Sequence, residues 1–221
     1  MGSLKKKLKL RLASPKISYL AREFGDIPFN LLDIGAGNHS AQYLKGFFPN
    51  CNYYGVDLAR DYNNDETDFA LMKDFYEMDL TALRFSAIPD GHFDAILMAH
   101  VIEHLHNGDK VLEGLLPKLR KNGVIYIEYP GKRSTTLPSM RDSLNFSDDP
   151  SHVRLYNIEE ISGILAKQGV ATIEKGTRRN WTVVALMPVL VPYRFIKRGH
   201  MVGGDFWDLL GFAEFVFGKK P

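Results

Sequence analysis

The sequence predicts a doubly wound α/β domain: a seven-stranded, mostly parallel sheet with helices on both faces and an antiparallel hairpin at its C-terminal end. Three observations carry this expectation. Strand-like apolar runs alternate with helix-period segments along most of the chain, the pattern of successive βα units. The run HFDAILMAH at 92–100 is apolar at most positions, as a strand covered on both faces must be. A third apolar stretch, FNLLDIGAG, ends in Gly35 and Gly37 before a helix begins, a tight strand-to-helix turn.

The elements follow in order. Residues 1–14 read as a loosely held basic tail. Residues 15–24 form a leading helix with Pro15 in its first turn, where its missing N–H costs nothing. The strand ending at the glycines is followed by a helix over 39–47, a second strand over 51–59 and a weaker third over 75–80. After the fourth strand, residues 109–121 place Val111, Leu112, Leu115, Leu116 and Leu119 on one helical face, with Gly123 as the stop. GVIYIEYP (123–130) is a fifth strand ended by Pro130. Residues 132–151 are polar and turn-rich, and so long a loop inside a domain is expected to be functional or mobile. Asn157 opens a helix whose buried face is Ile158, Ile161, Ile164 and Leu165, with Glu160 placed for a capping-box start. VATIEKG (170–176) and WTVVALMPV (181–189) read as the final two strands, a hairpin. The domain proper is expected over 15–187. Residues 188–221 form an aromatic-rich extension, read as a lid or packed helix.

Composition narrows the function. Lys and Arg number 28 against 26 Asp and Glu, a net charge of +2, so the chain as a whole has no strong pull toward nucleic acid. The single cysteine, Cys51, excludes an internal disulfide and a cysteine-rich zinc site, in keeping with a reducing cytoplasm. The basic start alternates Leu with Lys and Arg in place of a signal-peptide apolar core. The longest apolar run, Val183 to Val191, is far short of the roughly 20 residues that span a bilayer, and Pro188 interrupts it. A soluble cytoplasmic protein is expected.

The chemistry centres on the glycine turn. Gly35 and Gly37 let the backbone approach a ligand without a Cβ in the way. Asp57 closes the second strand 20 residues after Gly37, where a right-handed βαβ unit places its carboxylate beside the turn, ready to accept from ribose hydroxyls. A dinucleotide site calls for a third Gly or Ala where Ser40 stands, and Asp33 would repel a pyrophosphate but attract an ammonium group. Both residues disfavour NAD.

LLDIGAG, YGVD, EMDL and FDAILMAHVIEHLHN, in that order, resemble the successive motifs of the class I S-adenosylmethionine (SAM)-dependent methyltransferases, over about residues 29–175. Within that Rossmann-like superfamily the likeness is to the small-molecule group that includes the quinone-biosynthetic enzymes. The resemblance implies SAM as cofactor, S-adenosylhomocysteine as product, and a small-molecule methyl acceptor. It implies that Asp33, Gly35, Ala36 and Gly37 surround the methionine part. Asp57 would hold the ribose hydroxyls with Leu58 against the adenine, and Asp79 would bind the adenine amino group between Met78 and Leu80. Met98, Ala99 and His100 would line the sulfonium side. One departure stands out: His39 occupies a place where the family often has a third small residue. Asp94, at the buried start of the fourth strand, is read as structural.

His100, Glu103, His104 and His106 crowd into seven residues, with His152 in a separate loop. On a helix, His100, Glu103 and His104 share one face, and with a distant His such a set can ligate a divalent metal. Some relatives, among them small-RNA 2′-O-methyltransferases and certain quinone O-methyltransferases, are similar in using this region with a metal, whereas in the superfamily at large Glu-His-Leu here serves to cap or pack. The reading adopted assigns no metal, and takes His104, His152 or His100 as the group that positions or deprotonates the acceptor. The basic aromatic run from Pro192 to Arg198, followed by Phe206, Trp207, Phe212, Phe215 and Phe217, suits packing on the domain as a lid or extra helix, an apolar substrate pocket, or a weak contact with a membrane surface.

Overall fold

A computed structural model describes residues 3–221. Helices α1 (Ser3–Leu12) and α2 (Pro15–Phe24) precede β1 (Asn30–Ile34), α3 (Ser40–Lys45), β2 (Asn52–Asp57), α4 (Glu66–Leu71) and β3 (Met72–Glu77). Then come β4 (Phe93–Ala99), α5 (Gly108–Leu115), β5 (Leu119–Pro130), α6 (Ile158–Lys167), β6 (Ala171–Thr177), α7 (Trp181–Arg198), α8 (Trp207–Leu210) and β7 (Ala213–Lys219). The seven strands form one sheet in the order β3-β2-β1-β4-β5-β7-β6. Strands β1 to β5 pair in parallel, and β7 runs antiparallel to both β5 and β6. The expected class, with its antiparallel C-terminal pair, is the one observed.

Alternation along the central strands divides the core in two. Leu32, Ile34, Ile96 and Met98 face the layer built with α5 and α6. Leu31, Ala95 and Leu97 face the layer that holds Ile17, Leu20 and Leu44 of α2 and α3. Asp94 sits where a buried acid can be satisfied: it accepts from the Asn30 amide at 2.6 Å and pairs with Arg120.

Several expected elements differ: the helix expected over 109–121 ends at Leu115, with Leu119 already opening β5, and the third strand lies at 72–77 in place of 75–80. Residues 181–189 are not a strand but the start of α7; Asn180 caps them, its side chain accepting from the Thr182 and Val183 amides at 3.1 and 3.2 Å. The last strand lies instead at 213–219, where the buried Ala213, Phe215, Val216 and Phe217 fill the slot between β5 and β6. Residues 3–12, expected as a loose tail, are helical, and Lys9 donates to the Gly46 carbonyl at 2.8 Å while lying over the Phe47 ring. The long loop at 132–151 is ordered by Asp148, which accepts from the amides of Met140, Leu144 and Asn145 and from the Ser139 hydroxyl. Burial opposes its charge, but those donors hold its carboxyl down at about 2.

Candidate functional site

The carboxyl ends of the parallel strands meet at one edge, and the chain reverses its winding between β1 and β4. Ligands of open α/β sheets bind in the crevice at such a switch point. The glycine turn stands there. Its Gly35 and Ala36 amides donate to the Val56 carbonyl at 2.8 and 3.0 Å, tying the turn to the end of β2. Gly35 has φ +80° and is followed by Asn38 and His39 at +53° and +56°, so a short stretch carries three left-handed residues. A Cβ on Gly35 would meet the Val101 Cγ2 at 2.4 Å, and one on Gly37 would meet the Tyr62 ring at 2.5 Å and the Asp57 Oδ2 at 3.2 Å. Glycine is therefore required by close approach at both places.

Asp57 stands at the mouth of this turn, half-buried. One carboxylate oxygen accepts the Leu58 amide at 2.7 Å. Burial raises its pKa, and the backbone amides of Leu58, Gly37 and Ala59 pull against that rise. Leu58 is exposed beside it. The Met78 amide donates to the Asp57 carbonyl at 2.9 Å, which brings the ends of β2 and β3 together. Asp79 is exposed and caps the turn after β3, one oxygen accepting from the Thr81 amide and hydroxyl at 2.8 and 2.6 Å. Asp33 lies deeper. It is buried, and one of its oxygens accepts from Ser40 Oγ and Tyr53 OH, each at 2.5 Å. Burial raises its pKa against the pull of Lys16 and these hydroxyls. The side chains of Ala36, Leu80 and Met98 turn into the core, so only their backbone faces the crevice edge.

Across the switch point, β4 ends at Ala99 and His100, both half-buried. His100 adopts φ +56°, a conformation uncommon for a side chain with a Cβ and one that clusters at functional sites. Its ring lies between two buried carboxylates, 3.3 Å from Glu103 and 3.1 Å from Glu128. Burial alone would lower its pKa, but the two acids overcome that and raise it to about 9. Burial likewise opposes the Glu128 charge, and Arg178 with His100 brings that carboxyl down to about 2. Tyr126 donates to Glu128 at 2.6 Å, and Arg178 reaches on to Asp208 at 3.4 Å. Trp207 covers the His100 ring at 4.7 Å between centroids, with Phe212 stacked behind it.

The remaining histidines form a second group. The His152 Nδ1 faces the Phe146 carbonyl at 2.6 Å, so the ring donates there and, when neutral, its Nε2 carries the lone pair. That Nε2 is 4.0 Å from Glu103. His104 packs on His152 at 4.8 Å and its Nδ1 lies 2.9 Å from Ser151 Oγ. Glu103 is buried, and its second oxygen has no hydrogen-bond partner. Ligand atoms of Glu103, His104 and His152 all lie within 4.8 Å of one another, which a metal ion could bridge; His39, Asp65 and Asp68 are spaced in the same way on the far side of the glycine turn.

The predicted residues thus fall into two groups at the carboxyl ends of the parallel strands: the glycine turn with Asp57 and Asp79, and the histidines. Glu128 and Arg178 were not among them, and Trp207 and Phe212 were singled out only as part of the C-terminal aromatic stretch. The only acid in the apolar run of β5 was a usable signal for Glu128. Nothing local marks Arg178, which reaches the site only because β6 and β7 return to the sheet beside β5.

The sequence matches a family model described as a methyltransferase domain over residues 4–175. Among solved structures, a SAM-dependent methyltransferase from Archaeoglobus fulgidus is similar over 96% of each chain, with a TM-score of 0.60 and 20% identity. Burkholderia thailandensis 1,6-didemethyltoxoflavin-N1-methyltransferase, bound to its substrate and S-adenosylhomocysteine, matches 93% of this chain and 76% of its own at a TM-score of 0.59 and 14% identity. The 4+2 cyclase SpnF matches 96% of this chain and 85% of its own at 0.60 and 17%. At these identities the structural likeness is one of fold, and a fold shared with a cyclase does not by itself fix the reaction. No curated protein matches the sequence.

Proposed function

The chain belongs to the methyltransferase-domain family, and on that basis we propose that it transfers the methyl group of SAM to an oxygen, nitrogen or carbon of a small-molecule acceptor (EC 2.1.1.-). The observation that carries this reading is the cradle at Gly37, where a Cβ would strike Tyr62 and Asp57. Residues there fit the cofactor: an open carboxylate for the ribose at Asp57, an exposed one for the adenine amino group at Asp79, and backbone without side chains for the methionine part. Bound SAM supplies a methyl group made electrophilic by its sulfonium.

The protein's share is to bind, orient and exclude water, which supplies most of the acceleration in such transfers. Asp57 and Asp79 hold the two ends of the nucleoside, with Leu58 and Met78 beside the base. Asp33, whose charge is opposed by burial, steers the ammonium end through the turn. His100 carries both ring protons at neutral pH and spends them on Glu103 and Glu128, so it is not the base but holds the wall of the acceptor side in place. We assign proton removal to His104, the more open of the other pair, with His152 and Glu103 behind it to take up the developing charge. The absence of any helix long and apolar enough to cross a membrane among the described residues, together with the lone buried Cys51, supports a cytoplasmic site of action.

A second reading keeps the reaction and adds a metal. It is favoured by buried Glu103, one oxygen of which has no hydrogen-bond partner while its carboxylate lies within 4.8 Å of ligand atoms of His104 and His152. Calorimetric titration with SAM, S-adenosylhomocysteine and NAD, with Asp57→Ala as control, tests the cofactor. Binding of both SAM forms, lost in the variant and absent for NAD, is expected, and failure of both SAM forms to bind would refute the proposal. Tight binding with no turnover across an acceptor screen would reassign the chain as a SAM-binding protein. Activity that falls with chelator and returns with a divalent ion would favour the metal.

A further inference from the structure

Helix α7 is apolar on the side where a surface helix is ordinarily polar. Trp181, Ala185, Pro188, Val189, Pro192 and Ile196 recur at helical spacing, share one face and are all exposed. Trp181 and Val189 are 69% exposed and Ile196 is 82%. No residue of α7 is buried and none is acidic; its three cations, Arg194, Lys197 and Arg198, lie in its last five positions.

The stripe continues into a charged surface drawn from the other end of the chain. Asn180, the cap of α7, donates to the carbonyls of Arg11 and Ala13 at 2.9 and 2.8 Å, fastening α1 beside α7. Residues 1–22 contain seven Lys and Arg and no acid; residues 175–204 contain six and no acid. The net charge of +2 therefore divides into +13 on these two segments and −11 on the rest. Much of this is offset locally: Arg22 pairs with Glu174, Lys175 with Glu159, the buried Arg178 with Glu128 and Asp208, and Arg194 and Arg198 share Asp205. Lys197 has no ion pair among the described residues. Between α2 and the start of α7 lies a groove of about 590 Å³ whose lining includes Arg11, Tyr19, Arg22, Glu174, Arg179 and Trp181, so that three cations, one acid and two aromatic rings meet at the edge of the stripe.

We propose that α7 and α1 dock on an anionic phospholipid bilayer, with α7 lying in the headgroup plane and its stripe entering the acyl boundary. A bilayer presents an anionic plane and an apolar layer together, which this surface matches on both counts. A nucleic acid would meet the cations but leave Val189 and Ile196 in water. A second copy of the chain would bring one cationic face against another. The helix lies on the membrane and does not cross it, since two prolines interrupt it and its cations end it.

Flotation of the full-length protein with vesicles tests this. Binding to phosphatidylcholine vesicles containing about 30% phosphatidylglycerol is expected, weakening about tenfold or more on pure phosphatidylcholine and in salt of about 0.5 M. Val189→Asp with Ile196→Asp should lower vesicle affinity about tenfold or more while the circular dichroism spectrum and SAM affinity stay unchanged. Lys197→Glu, which leaves the residues of the apolar stripe unchanged, should weaken binding to anionic vesicles only. The proposal is overturned if the anionic vesicles do not bind at low salt, or if the double variant floats like the parent. It is overturned equally if the stripe variants dissociate a dimer without affecting flotation, or if a single-stranded RNA binds more tightly than vesicles and the double variant binds it unchanged.

Discussion

His100 and Glu128, at the ends of two adjacent parallel strands, are joined twice: the His100 amide donates to the Glu128 carbonyl at 2.8 Å, and the ring nitrogen lies 3.1 Å from the carboxylate. The sheet ladder thus fixes the distance between a cation and an anion, and only a change of protonation can undo the pair.

That change sets a pH window. The folded pKa of His100 is raised from its ordinary 6.5 to about 9, so its contribution to stability is complete below 6.5 and is lost as pH rises through about 9. Glu128 is depressed from 4.5 to about 2, so its contribution holds above 4.5 and is lost as pH falls through about 2. The thermal midpoint should drop between pH 6.5 and about 9 in the parent protein, and the slope should flatten in His100→Asn. An unchanged slope in that variant would place the titrating group elsewhere.

Glu128→Gln keeps the shape and removes the charge that balances His100 and Arg178. Leaving buried cations short of a partner should cost about 3 kcal/mol in urea denaturation. A loss below about 0.5 kcal/mol, the scale of a surface pair, would mean the network is more solvated than its burial indicates.

Gly37→Ala puts a methyl group into the Tyr62 ring and backbone and against Asp57. SAM affinity should fall about tenfold or more, since the turn must open to relieve the contact. Asp57→Asn keeps the hydrogen-bonding shape but loses the charged acceptor, and should weaken SAM by about tenfold to a hundredfold. Calorimetry reads both, and an unaffected Kd in both would move the cofactor away from this turn.

His104→Ala should lower kcat by about a hundredfold to ten-thousandfold, the range of a lost general base, with SAM affinity intact. Equal loss in parent and variant on adding chelator, with a bound ion found by elemental analysis, would transfer this role to a metal.

Asn180→Ala removes the α7 cap and the two bonds to α1 together. A cost of about 1 to 2 kcal/mol is expected by thermal denaturation, near the upper end for a single cap. A negligible change would show that α1 and α7 are held by other contacts.

In the first half of the sheet β1, β2 and β4 were legible as largely apolar runs closed by their own turn residues, whereas β3, expected over 75–80, lies at 72–77, where Lys73, Asp74 and Glu77 blur its bounds. The glycine turn and Asp57 needed only the βαβ rule to be brought together. Residues 181–189 were misread because VVALMPV is β-branched and apolar, and periodicity cannot separate a short buried strand from a helix that is apolar all round. Asn180 as a cap was the overlooked cue. The long loop carried its order in one residue, Asp148, which makes a capping box with Asn145 and takes its other three donors from loop positions that follow no local pattern. Arg178 and Trp207 reach His100 through a strand order that sequence does not state.

The placement of β7 has a consequence for how the protein is made. The last strand, 213–219, is not at the sheet's edge but between β5 and β6. Until those residues leave the ribosome, β5 is an open edge and β6 has no neighbour, while α6 waits on a partner supplied by the chain's final segment. The N-terminal half can settle during translation, but the acceptor side of the crevice can assemble only after it, since closing so distant a pairing is slow and leaves strand edges exposed meanwhile. A nascent chain stalled before residue 213 would therefore carry a formed glycine turn and an unbuilt His100 pocket.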